Sequence, residues 1–316
     1  MNILITGAGG YIGSHCALKL ASSGHSLFAL DFIRPNDTSL FQKFYVGDQG
    51  HMAFTQSIFK EERIECIIHC SGTSNVGATI SDPIPAYCND LIGMIFFLKT
   101  ALEENVKKLI FLSSVQVYGN VTTLMATENT PPCPTNTHGR IKLAIEQLIE
   151  SLNISHGLRA IVLRIGNVIG MDPKAPLFPQ NGDLISNILL GNHGIPIFGN
   201  NYTTSDHSAE RDFIHVNDVV QAILLALPKL NYVTKHTVYN ITSGRTYSVK
   251  EIIRAIENIT HRTVSTNSQG ERSGEIARLA IDSRRAQTEL DWHLQCPQLN
   301  PMIESSVNWL RNHGKL

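Results

Sequence analysis

The sequence predicts an α/β fold: a doubly wound parallel sheet with helices on both faces, followed by a smaller C-terminal α/β region. Three observations predict it. Short β-branched or leucine-rich runs alternate with longer stretches whose apolar residues recur at helical spacing, which is the pattern of successive βαβ units. A glycine-rich segment joins the first such run to the first helical stretch. After Gly166 the chain turns to segments rich in Pro, Gly, Asn, Ser and Thr before helical spacing returns.

Taken in order, strands are expected over 3–6, 26–31, 66–70, 108–113 and 159–165, with a further one ending at Gly47-Asp48. Helices are expected over 11–22, 52–62, 83–104 and 138–151. Residues 171–181 and 191–210 read as structured loops. Helical spacing resumes over 216–227, 249–258, 283–290 and 301–311, with short strands at 238–242 and 263–266. The first unit is therefore placed at 1–166, with a return at 212–235, and the second at 167–316.

A chain of 316 residues exceeds the usual single compact unit, so one large domain or two closely joined ones is expected. With 42% hydrophobic and 17% charged residues it has the composition of a globular protein. The net charge of −1, with no run of five like charges, offers no field for nucleic acid, so small-molecule partners are expected. No apolar stretch approaches the roughly 20 residues of a membrane span. Met1 is followed by Ile3-Leu4-Ile5 rather than a charged leader, so no membrane association is expected and the cytoplasm is the expected compartment. Cys16, Cys66, Cys70, Cys88, Cys133 and Cys296 occur singly, without metal-ligand spacing; they read as reduced, mostly buried thiols, and no metal is expected.

The segment Thr6-Gly7-Ala8-Gly9-Gly10-Tyr11-Ile12-Gly13 follows a strand and opens a helix, the context of a Rossmann dinucleotide fingerprint. Gly7, Gly10 and Gly13 allow a tight turn, close backbone approach to a pyrophosphate and helix packing, while the helix start at Tyr11 and Ile12 faces the phosphates. Asp31 ends the second strand 18 residues after Gly13, where a carboxylate can accept from a ribose 2′-hydroxyl. That favours NAD over NADP, with Arg34 read as a solvated loop residue. Asp48 could reach the adenine amino group, or could simply cap its own turn.

The fingerprint TGAGGYIGSH, Leu30-Asp31, Gly47-Asp48 and Ile68-His69-Cys70-Ser71-Gly72 together resemble the extended short-chain dehydrogenase/reductases. The segment from Phe198 to Asp206, running into Arg211-Asp212-Phe213-Ile214-His215-Val216, resembles the UDP-glucose 4-epimerases of the NAD-dependent epimerase/dehydratase family. The resemblance spans nearly the whole chain. It implies hydride transfer between a sugar carbon and NAD, acting on a UDP-hexose at C4 through a transient 4-keto sugar. It also implies that Ser114, at the carboxyl end of a strand, contacts the reacting oxygen, although such a serine could merely cap the following loop. Asn167, Arg211 and Arg272 match the family's ligands of the nucleotide-sugar diphosphate, and guanidinium forks suit phosphate oxygens. The alternative for each arginine is a surface pair with Glu210 or Glu271. A homodimer built on the helices over 83–104 and 138–151 is likewise implied.

One departure stands out. The resemblance implies a Tyr-x-x-x-Lys helix, and alignment puts Lys142 on the lysine but His138 on the tyrosine. Three readings of His138 stay open. As an imidazole kept neutral by repulsion from Lys142, it could accept the hydroxyl proton, with a bridging water if its shorter reach demands one. Lys142, also implied as a nicotinamide-ribose ligand, could instead be the working cation beside Ser114 and a water. Or the chain could bind nucleotide and sugar without ordinary turnover; a nucleotide-ketosugar reductase is a further alternative. Asp90 and Ser74 stand where the resemblance implies an asparagine and a basic residue. Val115 and Gln116 replace the acidic pair of the sugar 4,6-dehydratases, which disfavours dehydration. Tyr118 reads as packed under its loop rather than as a substitute phenol.

Overall fold

Along the first strand Ile3 and Ile5 belong to one buried cluster and Leu4 to another, so both faces of the sheet must be covered. The computed structural model describes residues 1–316 except 74, 122–123, 177, 180–183, 192–193, 200 and 272–273. Its first half runs β1 (Asn2–Thr6), α1 (Tyr11–Leu20), β2 (Ser26–Asp31), β3 (Lys43–Val46), α2 (Met52–Glu62), β4 (Cys66–His69), α3 (Val76–Ser81) and α4 (Ile84–Ala86). A π-helical turn (Tyr87–Ile92) leads into α5 (Gly93–Glu103), then β5 (Lys108–Ser114), a 3-10 turn (Val115–Tyr118), α6 (Thr137–His156) and β6 (Arg159–Ile165). The second half runs β7 (Asn167–Ile169), α7 (Leu184–Leu190), β8 (Ile195–Phe198), β9 (Glu210–His215), α8 (Val216–Lys229) and β10 (Thr237–Ile241). It ends with β11 (Thr246–Ser248), α9 (Val249–Thr260), β12 (Thr266–Gln269), α10 (Arg284–Leu290) and α11 (Leu299–Asn312).

Seven strands form one parallel sheet in the order β10-β6-β5-β4-β1-β2-β3. The chain leaves β1 for β2 and β3, then crosses to β4 on the other side, so strand order reverses between β1 and β4. Ligands bind at such a switch point, outside the carboxyl ends of the strands. Helices α1, α8 and α10 cover one face through Cys16, Leu20, Val219, Ile223 and Ala286; α2, α5 and α6 cover the other through Ile58, Phe97, Leu98, Ile141 and Ile145.

A three-stranded sheet (β11-β9-β7) and the parallel pair β12-β8 lie with α7, α9 and α11 around a separate core of Ile169, Phe178, Ile188, Ile252, Ile256 and Trp309. Polar contacts tie that region to α1, among them Lys19 Nζ to Asp172 Oδ2 at 2.6 Å. The Tyr11 hydroxyl donates to the Gly170 carbonyl. His15 Nδ1 lies 2.8 Å from the Tyr11 carbonyl, and its Nε2 accepts the Asp172 N–H at 3.2 Å. Burial holds the His15 ring neutral, with its pKa down at about 4, as this double role requires.

Several expectations need correction. The helix expected over 83–104 is split by the π-helical turn, α7, β7 and β8 lie within or beside segments read as loops, and β11 falls between the strand expected over 238–242 and the helix expected over 249–258, where the sequence predicts no element. The short strand expected over 263–266 begins instead at Thr266. Of the thiols, Cys88 and Cys133 are exposed, so burial is not the rule for them. No helix among the described residues is long and apolar enough to cross a membrane.

Candidate active site

The carboxyl ends of β1, β2, β4 and β5 and the first turns of α1 and α6 enclose a cavity of about 820 Å³. Gly7 enters it in the left-handed region, at φ 66°. A Cβ at Gly13 would stand 2.1 Å from the Gly7 carbonyl, and one at Gly7 would stand 2.7 Å from the Ser71 nitrogen, so side chains at either place would push the loops apart. Gly10 caps α1 without a side-chain acceptor, and the start of a helix favours an anion. Gly10, Tyr11, Ile12 and Gly13 all line the cavity. Asp31 joins them from the end of β2; its Oδ2 accepts the Gly9 N–H at 2.9 Å and its Oδ1 the Ile33 N–H at 3.2 Å. This glycine cradle, with a carboxylate at its rim, fits the pyrophosphate and ribose of a dinucleotide. Asp48 instead turns its carboxylate onto the Gly50 N–H at 2.7 Å.

On the other side of the cavity, β5 ends in two serines with different duties. Ser113 turns inward and donates to Glu146. Ser114 lines the cavity, and its Oγ also accepts the Gln116 N–H at 3.2 Å, so it caps the 3-10 turn as well as facing the site. Asn136 starts α6: its Oδ1 accepts the Gly139 N–H at 2.9 Å and its Nδ2 donates to Gln116 Oε1 at 2.8 Å. Gly139 permits this docking, since a Cβ there would lie 2.5 Å from the Gln116 carbonyl.

His138 and Lys142, four residues apart on α6, both line the cavity. Lys142 donates to the Leu112 carbonyl at 2.9 Å and sits 4.9 Å over the Phe111 ring. Burial draws its pKa down, against the opposing pull of Asp90. His138 Nδ1 is 3.1 Å from the Thr73 carbonyl. Burial first, and the Lys142 charge second, lower the His138 pKa to about 4. The ring is therefore neutral near pH 7, though repulsion from Lys142 is the lesser cause. Tyr118 is spent elsewhere: it is fully buried, donates to Asn240 Oδ1 at 2.7 Å and accepts from Arg164 at 2.9 Å.

A sequence profile of the NAD dependent epimerase/dehydratase family matches residues 3–242. The chain belongs to that family. It is 34% identical to the UDP-glucose 4-epimerase of Halalkalibacterium halodurans over 322 residues, covering 99% of this chain and 96% of that protein. A crystal structure of a UDP-glucose 4-epimerase superposes with a TM-score of 0.90 at 33% identity, covering 99% of this chain and 98% of the other. The UDP-glucose 4-epimerase of Bifidobacterium longum, solved in complex with NAD+ and UDP, superposes with a TM-score of 0.91 at 28% identity over 100% and 99% of the two chains.

The residues tied to this family by motif are not all brought to the cavity. Asn167 lines it. Arg211 is turned to Glu275, whose carboxylate accepts from its Nη2, while its Nη1 donates to the Glu210 carbonyl at 2.8 Å. Arg272 and Ser74 lie outside the described residues. Thr73, not singled out by sequence, and Gln116, read there only as the absence of an acidic residue, line the cavity and hold His138 and the start of α6. Thr73 acts on His138 through its backbone carbonyl, which leaves no signal in residue type. Among the described residues no group of three or more His, Cys, Asp or Glu side chains is placed to hold a metal.

Proposed function

We propose that this chain is an NAD-dependent UDP-hexose 4-epimerase in which His138 takes the place of a phenol as proton acceptor. The observation that carries it is that His138 and Lys142 line one cavity with Ser114, Asn167 and the glycine loop. Residues 1–166, with 212–235, serve the cofactor in this reading, and 167–316 the nucleotide sugar. Gly7, Gly10, Tyr11, Ile12, Gly13, Asp31 and Lys142 would hold the NAD, with Asp48 beside the adenine. Bound NAD supplies the hydride acceptor and, on return, the donor.

The chain's own groups manage the proton. With Nδ1 against the Thr73 carbonyl, Nε2 of the neutral His138 accepts the C4 hydroxyl proton, while the Ser114 hydroxyl donates to the same oxygen. A pKa of about 4 makes His138 a modest base, so the proton is returned readily when the 4-keto sugar presents its other face. Asn167, Arg211 and Arg272 anchor the diphosphate; Arg211 exchanges Glu275 for phosphate oxygens.

His138→Ala, assayed for interconversion of UDP-glucose and UDP-galactose, is expected to lose at least ~10²-fold in kcat and to keep its NAD. Unchanged activity rejects the histidine base. Calorimetric binding with no conversion by the unaltered protein rejects the epimerase reading, and stoichiometric consumption of NADH marks a one-way reductase. We also infer a homodimer, supported by the exposed apolar side chains Ile84, Ile92, Ile95 and Phe96 along the α4–α5 segment; light scattering on Phe96→Glu, which should be monomeric, tests it.

A further inference from the structure

The proton route above gives no part to Asp90, yet this carboxylate is only 8% exposed and lines the same cavity. It is carried by the π-helical turn. Its Oδ2 accepts the Thr73 N–H at 2.8 Å, and its Oδ1 accepts the Thr73 hydroxyl at 3.3 Å. The carbonyl of the same Thr73 lies 3.1 Å from Nδ1 of His138. A carbonyl oxygen can only accept, so Nδ1 carries the proton, and in a neutral ring Nε2 is then the bare nitrogen. Among the described residues Nε2 has no hydrogen-bond partner of its own.

We propose that Asp90 is a positioning residue for His138: by clamping Thr73 it sets the carbonyl that selects the Nδ1–H tautomer and leaves Nε2 to face the cavity as acceptor. The catalytic consequence rests on the reading of His138 as the base. Thr73 needs a clamp because it follows Gly72, whose φ of 146° lies where only glycine is comfortable and where the peptide is least restrained by its own side chain. A carboxylate suits the task, having two oxygens for the two Thr73 donors and bonds strengthened by charge. That charge is answered close by. A Cβ on Gly72 would lie 3.2 Å from Lys142 Nζ and 3.8 Å from Asp90 Oδ2, so the ammonium and the carboxylate flank the same glycine.

The test reads the tautomer directly. In NAD-loaded protein labelled with 15N-histidine, two-bond 1H–15N correlations of the His138 ring, assigned by their loss in His138→Gln, should show Nδ1 protonated and Nε2 bare. Asp90→Ala should mix the two tautomers and lower kcat by about tenfold or more, with KM for UDP-glucose little changed. Asp90→Asn, which keeps an acceptor for the Thr73 N–H, should retain the Nδ1–H form and most of the turnover. An unchanged His138 tautomer in Asp90→Ala overturns the clamp, as does a loss in Asp90→Asn as deep as in Asp90→Ala. Failure of the base reading looks different: His138→Gln would stay active while the tautomer still followed Asp90, which supports the clamp alone.

Discussion

Glu146 and Arg164 form a buried ion pair behind the end of β5, with Arg164 Nη2 2.6 Å from Glu146 Oε2 and its Nε 3.1 Å from Oε1. Glu146 lies one turn beyond Lys142 on α6 and accepts from Ser113, while Arg164 also donates to the Tyr118 hydroxyl. The pair thus holds α6 and β6 against the strand that presents Ser114. Removing one partner leaves the other charged and buried. Glu146→Ala is therefore expected to cost about 3–5 kcal/mol. Replacing both, as Glu146→Leu with Arg164→Met, should cost less than the sum of the single losses. Urea denaturation of the three variants checks this, and strict additivity contradicts it.

The His138 reading has a kinetic signature. Only the neutral ring accepts a proton, and burial with the Lys142 charge holds its pKa at about 4. The acid limb of kcat/KM should therefore fall near pH 4, with a flat profile through 6.5. An inflection at 6.5 in a pH series of initial rates argues against His138 as the base.

Stability should respond to acid over a different span. His15, His138 and His215 are lowered to about 4 and His69 to about 3, each chiefly by burial. Each is neutral when folded but takes a proton below about 6.5 once unfolded, so the unfolded state binds more protons as pH falls. The contribution of these histidines is full above about 6.5 and declines from there toward 4, by up to about 1.4 kcal/mol per pH unit for each. Urea midpoints at pH 7.5 and 5.5 measure the loss. Equal midpoints contradict it.

Asp212 works in the opposite sense. Burial raises its carboxyl to about 7 although Ser243 donates to its Oδ1, and among the described residues its Oδ2 has no hydrogen-bond partner. The favourable contribution of the protonated form is complete below the unfolded value near 3.8 and is lost as pH rises through 7. Asp212→Asn removes that titration, so its Tm relative to the unaltered protein should climb between pH 5 and pH 8. Thermal unfolding at the two pH values reads the difference.

Periodicity made the first half of the chain legible because its strands and helices are long enough to show a face: β2, α2 and β6 occupy the expected spans. It failed where an element is set by its partner. β8 is a four-residue strand held by pairing with β12, and nothing in Ile195–Phe198 itself distinguishes it from loop. Within the site, Gly7 and Asp31 answer to a residue type at a fixed spacing, whereas Ser114, His138 and Lys142 were singled out through the family resemblance, and all five line the cavity. The partner of Arg211 was not legible: sequence neighbours suggested Glu210 or Glu271, whereas Glu275 takes it across a fold the spacing does not encode.

The π-helical turn carries one more consequence. Each helical residue advances the side-chain direction by about 100°, so a single extra residue in one turn is a change of phase between the helix before it and the helix after it. Ahead of the turn Ala86 is buried, within it Asp90 points into the cavity, and after it Ile95 and Phe96 are exposed while Phe97 and Leu98 are buried. Deleting one residue between Tyr87 and Ile92 would rotate the two halves out of step, so that pocket, core and outer surface could no longer be correct together. The local count of residues in that one turn keeps three environments synchronised.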